Sequence, residues 1–237
     1  MPGNELHVIY DCLDCPVRSQ RPFCNLPRPT LEAFERIKTT NMLAAGAVLF
    51  REAEVAHSVL VLCSGRVKLY ASGRSGRELI AGIAEAGEVL GLSAVLSSTP
   101  YEFTAVMEDP GQVNRVAAGD FLQLLSENAG AGLNAARSLS LVHQRTCEQV
   151  KLLGLSPSTL ARLSRFLIQQ AKLGKSTPKG VRVVHTRTQE ELAEMLGTTR
   201  ETVSRLFSVL KERELISSHG AALFIHNVGA LELIAGA

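Results

Sequence analysis

The chain changes texture once, sharply, near residue 120, and that change limits what it can fold into. Nine of its 19 glycines lie between Gly46 and Gly119. Short β-branched or apolar runs separate them: Ala47–Arg51, Ser58–Cys63, Arg66–Ala71, Glu78–Ala84, Glu102–Met107 and Gln112–Val116. Short runs broken at such spacing by turn residues predict an antiparallel sandwich or barrel. Gly73-Arg74-Ser75-Gly76 reads as a hairpin tip between two of them. Beyond Asp120 the pattern turns helical. Asn128–Leu153 contains no proline and predicts one long helix. Within it Leu133, Ala136, Ser140, His143, Cys147 and Val150 recur in steps of three and four, the spacing of a coiled-coil seam, though a polar one in the middle. A second stripe runs through Leu139, Val142, Thr146 and Leu153. Either stripe predicts a partner helix, most simply that of a second copy; the alternative is a helix packed on its own barrel.

Ahead of the barrel, residues 1–29 form a lead segment in which Pro16, Pro22, Pro27 and Pro29 forbid a long helix. Thr30 is the expected N-cap of a short helix, Leu31–Lys38. After the long helix, Ser156-Pro157 offers a serine cap with proline at the first helical position, predicting a helix to about Lys172. That helix would bury Leu160, Leu163, Phe166 and Leu167. A strand is expected at Val181–His185. The predicted organisation is a lead segment (1–29), a β-barrel (30–127), a long helix (128–154) and a C-terminal domain (155–237).

The C-terminal domain carries the sharpest signal. Thr188-Gln189-Glu190-Glu191 is a capping box, in which the Thr hydroxyl and the Glu carboxylate each satisfy a free backbone N–H. The helix it opens stops at Gly197. Thr198-Thr199-Arg200-Glu201 then offers a second box, opening a helix from Thr199 to about Arg213. Two short helices joined by a tight glycine turn make a helix-turn-helix. At about 100° per residue, with Arg200 at zero, Ser204, Ser208, Glu201 and Arg205 fall between roughly 40° and 140°. Val203, Leu206, Phe207 and Leu210 fall between roughly 240° and 340°. One face is apolar and the other is charged or short and polar, which suits a helix that packs by one side and enters a major groove by the other. Arg can donate twice to guanine, Glu can accept from cytosine N4, and Ser can contact a base or a phosphate. Leu215–Ser218 and Ala222–Ile225, joined at His219-Gly220, predict a β-wing. Charge agrees weakly: residues 155–237 balance at +4 and residues 1–154 at −2.

These segments resemble the CRP/FNR superfamily of bacterial transcription regulators. The resemblance covers about residues 12–230 and is most specific in LAEMLGTTRETVSRLFSVLKERELI, Leu192–Ile216. Gly65-Arg66-Val67-Lys68-Leu69 and Gly87-Glu88-Val89-Leu90-Gly91 also fit. It implies an α+β chain: a cyclic-nucleotide-binding-type β-barrel (double-stranded β-helix or jelly roll), a long dimerisation helix and a winged helix-turn-helix. It also implies a homodimer on an inverted-repeat, double-stranded DNA operator. Expected DNA contacts are Thr188, Gln189, Thr199, Arg200, Glu201, Ser204 and Arg205. RNA polymerase is the expected further partner. The mixture of Arg200 with Ser204-Arg205 leaves the operator word open between TGTGA-like and TTGAT-like.

For the signal, cAMP is not expected. Tyr101-Glu102 stands where the cAMP-binding branch has the Arg-Ser pair that holds the phosphate, and no arginine lies between Gly87 and Arg115. Cys12-x2-Cys15 followed by Cys24 instead resembles the N-terminal ligands of FNR-type 4Fe–4S proteins, with zinc or a thiol redox switch, or no metal at all, as alternatives. The barrel position that supplies a fourth cysteine there falls at about Gly111 or Asn114 here. Cys63 would have to swing out of a strand and Cys147 lies far along the long helix, so Asp11, Asp14, His7 or a residue the sequence does not single out are the candidate fourth ligands. Cys63, inside an apolar run, reads as core, and Cys147 as packing in the long helix. No enzyme is expected: there is no P-loop, no HExxH and no local Ser/His/Asp pattern. The competing reading is a metal-binding interaction module without specific DNA binding. No apolar run nears the roughly 20 residues of a membrane span. The first residues lack a basic-then-apolar leader, so a cytoplasmic location is expected.

Overall fold

The computed structural model describes residues 11–73, 78–184, 187–220 and 222–236. The hairpin tip expected at Gly73–Gly76, His185 and His7 therefore lie wholly or partly outside the described residues. The chain divides into two compact units, residues 1–146 and 147–237.

In the first unit a 3₁₀ turn at Arg18–Gln20 precedes α1 (Arg28–Ile37). Eight strands follow: β1 (Lys38–Leu43), β2 (Val48–Phe50), β3 (Ser58–Leu62), β4 (Arg66–Ser72), β5 (Glu78–Glu85), β6 (Val89–Leu90), β7 (Thr104–Met107) and β8 (Gly111–Ala117). They form two four-stranded antiparallel sheets, ordered β1-β8-β3-β6 and β2-β7-β4-β5. Between β6 and β7 lies α2 (Leu92–Ser97), and α3 (Ala118–Glu127) leads into α4 (Ala129–Leu155).

Strand β3 shows how the sheets are covered. All five of its residues are buried. Leu60 and Leu62 face the core between the sheets, with Leu49, Val67, Met107 and Val113. Val59 and Val61 face an outer layer of Phe23, Phe34, Phe121 and Ala131. A strand covered on both faces reads as a continuous apolar run, which is the pattern of this segment. The outer layer pins the lead segment. Phe23 is 1% exposed and packs on Phe34 and Phe121 at ring separations of 5.9 and 5.6 Å.

In the second unit α5 (Thr159–Leu173), β9 (Lys175–Thr177) and β10 (Gly180–Val184) precede α6 (Gln189–Met195) and α7 (Arg200–Glu212). The hairpin β11 (Ile216–His219) and β12 (Ala222–Ile225) follows, then α8 (Val228–Ala235). One core unites Leu163, Leu167, Leu192, Leu196, Val203, Phe207, Leu210, Ile216, Leu223 and Leu231. The sheet order is β11-β12-β10-β9.

Three expected caps move. Thr30 does not cap α1, whose N-cap is Pro27; its hydroxyl donates to Asn128 Oδ1 at 3.0 Å. Ser158, not Ser156, caps α5, accepting from Ala161 N–H. At α7 the cap is Thr199, which accepts from Thr202 N–H at 3.3 Å, so the box expected between Thr198 and Glu201 does not form. At α5 and α7 two nearby Ser or Thr residues could each cap the helix, and the path of the chain into the helix decides between them.

Candidate DNA-reading head, effector cavity and thiol cluster

The reading head is built from the α6–α7 pair. The capping box at α6 is complete: Glu191 N–H donates to Thr188 Oγ1 at 3.2 Å, and Thr188 N–H donates to Glu191 Oε2 at 2.6 Å. Gly197 sits at φ 63°, a left-handed conformation that glycine adopts without strain, and so lets α6 stop and α7 start within four residues. Arg162 of α5 donates to the Leu196 carbonyl at 2.9 Å and fixes the end of α6.

On α7 the burial follows the angular layout. Val203, Phe207 and Leu210 are buried and Leu206 is half-buried. Arg200, Glu201, Ser204, Arg205 and Ser208 are exposed. Neither Arg200 nor Arg205 forms a hydrogen bond or ion pair among the described residues. Glu201 is held below the usual carboxylate range by its own backbone N–H at the helix N-terminus and by the Thr199 hydroxyl. It therefore stays an acceptor at neutral pH. Thr188 and Thr199 are exposed and half occupied as caps, and Gln189 is half-buried. The wing strands pair from Ile216↔Ile225 to His219↔Ala222. The His226 ring bridges them to the β9–β10 hairpin, through Ser217 Oγ at 2.9 Å and the Lys179 carbonyl at 2.6 Å.

In the first unit a cavity of about 380 Å³ lies between the β5–β6 turn and α4. That volume is in the range of small-molecule sites. Apolar groups, among them Leu69, Phe103, Leu139 and Val142, dominate the wall, which also holds Glu85, Glu88 and Glu102. Tyr101 is not in the wall. It is 5% exposed, stacks on Phe50 at 3.9 Å and donates its hydroxyl to the Ser58 carbonyl at 2.6 Å. Gly91, at φ 72°, lies so close that a Cβ there would meet the Tyr101 ring. Sequence reasoning missed Arg145, which α4 brings into this wall and which pairs with Glu88 at 2.7 Å. It is separated from Glu88 by 57 residues, so only the tertiary fold reveals the pair.

A second, water-sized cavity of about 20 Å³ is lined by Cys12, Cys15, Cys24 and Cys63, with Arg18, Arg21, Phe34, Val61 and Asn114. Asp11 and Asp14 are not in its wall; Asp11 Oδ1 accepts instead from Leu13 N–H at 2.7 Å. Asn114 Nδ2 donates to Cys12 Sγ at 3.6 Å, so the barrel position compared above with a cysteine does reach this cluster, with an amide. Burial pushes the Cys24 thiol up to about 12 and the Cys63 thiol up to about 11, and raises Cys12 further, aided by Glu35. Among the described residues no three His, Cys, Asp or Glu side chains already stand close enough to hold a metal ion. The donor chemistry nonetheless fits a thiophilic metal: thiols from a CxxC turn and from Cys24 share one cavity beside two arginines. Cys147 lies in α4 and outside this cavity.

A jelly-roll barrel, a long helix and a winged helix-turn-helix define a two-part DNA-binding regulator. The family model of the cyclic nucleotide-binding domain matches residues 41–128, and that of the Crp-like helix-turn-helix domain matches residues 161–234. Together they span more than half of the chain, which belongs to the CRP/FNR family of transcription regulators. The cAMP-activated global transcriptional regulator CRP of Pasteurella multocida is 25% identical over 201 residues, 84% of this chain and 95% of its own. The global nitrogen regulator of Nostoc sp. is 26% identical over 200 residues, 84% of this chain and 86% of its own. Both are regulators, not enzymes. Among solved structures, a CooA mutant from Carboxydothermus hydrogenoformans has a TM-score of 0.74 at 22% identity, covering 89% of this chain and 93% of its own. The c-di-GMP-responsive regulator CLP of Xanthomonas campestris has a TM-score of 0.71 at 22% identity, covering 85% and 100%. These two speak to the fold. Among the described residues no helix is long and apolar enough to cross a membrane.

Proposed function

We propose that the chain acts in the cytoplasm as a homodimer that reads an inverted-repeat operator with two copies of α7, one in each of two successive major grooves. The observation that carries this is the division of α7: an anchored apolar face, and an exposed face bearing Arg200, Glu201, Ser204 and Arg205 with neither arginine in a hydrogen bond or ion pair among the described residues. Thr188, Gln189 and Thr199 stand at the starts of α6 and α7, where backbone N–H groups favour phosphate. RNA polymerase is the further partner.

The signal enters through the first unit. Cys12, Cys15 and Cys24 would hold a thiophilic metal, iron–sulfur or zinc. When bound, such a centre supplies a crosslink that survives only in one redox or metal state. The lead segment and barrel would then bias α4 between two arrangements, a coupling typically worth about 1–3 kcal/mol. cAMP is not that signal.

The test is Arg205→Ala, assayed by fluorescence anisotropy on an operator selected from random duplexes. A lost bidentate base contact is worth about 1–3 kcal/mol, or roughly a fivefold to 150-fold weakening. Specific affinity should fall by that factor while non-specific binding and the dimer persist. Unchanged specific binding would remove Arg205, and the face it defines, from the reading head.

A further inference from the structure

We propose that Cys63 is the fourth thiolate ligand of a thiophilic metal centre whose other ligands are Cys12, Cys15 and Cys24. This rests on the metal reading above and adds the ligand that reading lacks.

Cys63 looks like core in the sequence because it ends an apolar run. The period of β3 says otherwise. Val59 and Val61 face the layer that holds the lead segment, while Leu60 and Leu62 face the inter-sheet core. Cys63 lies just past the end of β3, two residues beyond Val61, and lines a cavity on the side that Val61 faces. It need not swing out of the sheet to reach the lead segment, because it already shares the cavity with the three N-terminal thiols. Cys63 lies near enough to Cys12, Cys15 and Cys24 to line one cavity with them. Asn114 is cross-strand from Val61, so the neighbouring strand offers an amide donor to a ligand sulfur.

Charge also fits. Four thiolates around a divalent ion leave a net of about −2, and clusters are similarly anionic. Arg18 and Arg21 line the cavity, and Arg18 Nη1 is buried with no hydrogen-bond partner. The Arg21 side chain passes close over Gly87, where a Cβ would meet it at 2.9 Å. An arginine with a buried, unused donor beside four thiols is what an anionic centre would engage.

The thiols ring the cavity and do not meet at a point. Its volume of about 20 Å³ is close to that of one water-sized sphere. A single ion needs only an inward turn of the side chains. An iron–sulfur cluster needs the Cys12–Cys24 segment to ride outward. Both are served by the same four thiolates, and the metal analysis separates them.

The experiment uses the full chain purified anaerobically, with samples also reconstituted with zinc alone and with ferrous iron plus sulfide. Metal and sulfide content, absorbance near 400 nm and alkylation of each cysteine by iodoacetamide are read for wild type, Cys63→Ser, Cys63→Ala and Cys147→Ser. Far-UV circular dichroism confirms that each variant is folded. The expected result is one centre per chain in wild type and in Cys147→Ser, with Cys12, Cys15, Cys24 and Cys63 protected from alkylation together. Both Cys63 variants should fold yet retain less than about a tenth of the metal, in line with the 10–100-fold effects of weakening a site's ligand shell. Metal retained at wild-type content in the Cys63 variants would overturn the assignment of Cys63 and leave the three-cysteine reading standing. A wild-type chain that takes up neither zinc nor iron and sulfide would overturn both.

Discussion

At Glu102 a carboxylate stands in the wall of the larger cavity, together with Glu85 and Glu88. A cyclic phosphate entering there would meet three acidic side chains and one cation, Arg145, already paired to Glu88 at 2.7 Å. To hold the phosphate Arg145 would have to give up that pair and leave Glu88 uncompensated near a second anion, which like-charge repulsion disfavours. Tyr101, the neighbour of Glu102, is spent on Phe50 and the Ser58 carbonyl. A ligand at about 100 times its Kd stabilises a protein by ~2.7 kcal/mol, a readily visible rise in Tm. Millimolar cAMP should therefore leave both the Tm and the operator affinity where they were. A saturable Tm rise, or operator binding that depends on micromolar cAMP, would show that Arg145 can be recruited after all. The predominantly apolar wall suits a neutral or apolar molecule better than a nucleotide.

At the scale of elements, the caps offer a direct check on where α6 and α7 begin. A Thr cap replaced by Ala costs about 0.5–2 kcal/mol. Thr188→Ala should lower stability in urea unfolding by that amount, because it removes one bond of a complete box. Thr199→Ala should do the same at α7, whereas Thr198→Ala should be close to neutral. A costly Thr198→Ala with a neutral Thr199→Ala would restore the earlier start. The same helices show what a sequence discloses. The division of α7 was legible because its period is local: Val203, Phe207 and Leu210 recur on one side whatever the rest of the chain does. Six of the seven strands from Val48 to Ala117 were legible as short apolar runs set off by turn residues; the two-residue β6, Val89–Leu90, was not. Strand β1 was not, since Lys38–Leu43 carries mostly polar, half-exposed residues at a sheet edge. The six residues of α2 are too few to show a period. Helix α8 passed unremarked for a different reason: with Leu231 buried and Leu233 81% exposed, its short apolar run does not show which side packs. Arg145 and the orientation of Cys63 belong to a further class. Both depend on which strand or helix lies opposite, and only the assembled barrel supplies that.

The homodimer proposed above rests on α4, a helix of 27 residues. One of its faces is used within the first unit: Ala131, Asn134, Ala135 and Ser138 are buried, and Asn134 donates to the Phe23 and Asn25 carbonyls at 3.3 and 2.9 Å. Leu133, Ala136, Ser140, His143 and Val150 are exposed. At about 100° per residue these five cluster roughly 150° round the helix from the buried set. Leu133 is 53% and Val150 63% exposed, large apolar side chains near the two ends of an otherwise polar stripe. A second copy of α4 would cover both, with small or polar residues between them letting the helices approach. Leu133→Glu combined with Val150→Glu places like charges along that seam and removes the apolar ends. For the proposed homodimer, sedimentation equilibrium should give a dimeric wild type and a monomeric variant at the same concentration. Its affinity for a single half-site should be unchanged, and its affinity for the full inverted repeat should fall to that of the half-site, because linking two readers is what raises the second contact's effective concentration. A double variant that stays dimeric and keeps full-site affinity would move the subunit contact off this face of α4. A monomeric variant that also lost half-site binding would point to damage in the second unit, and circular dichroism would reveal it.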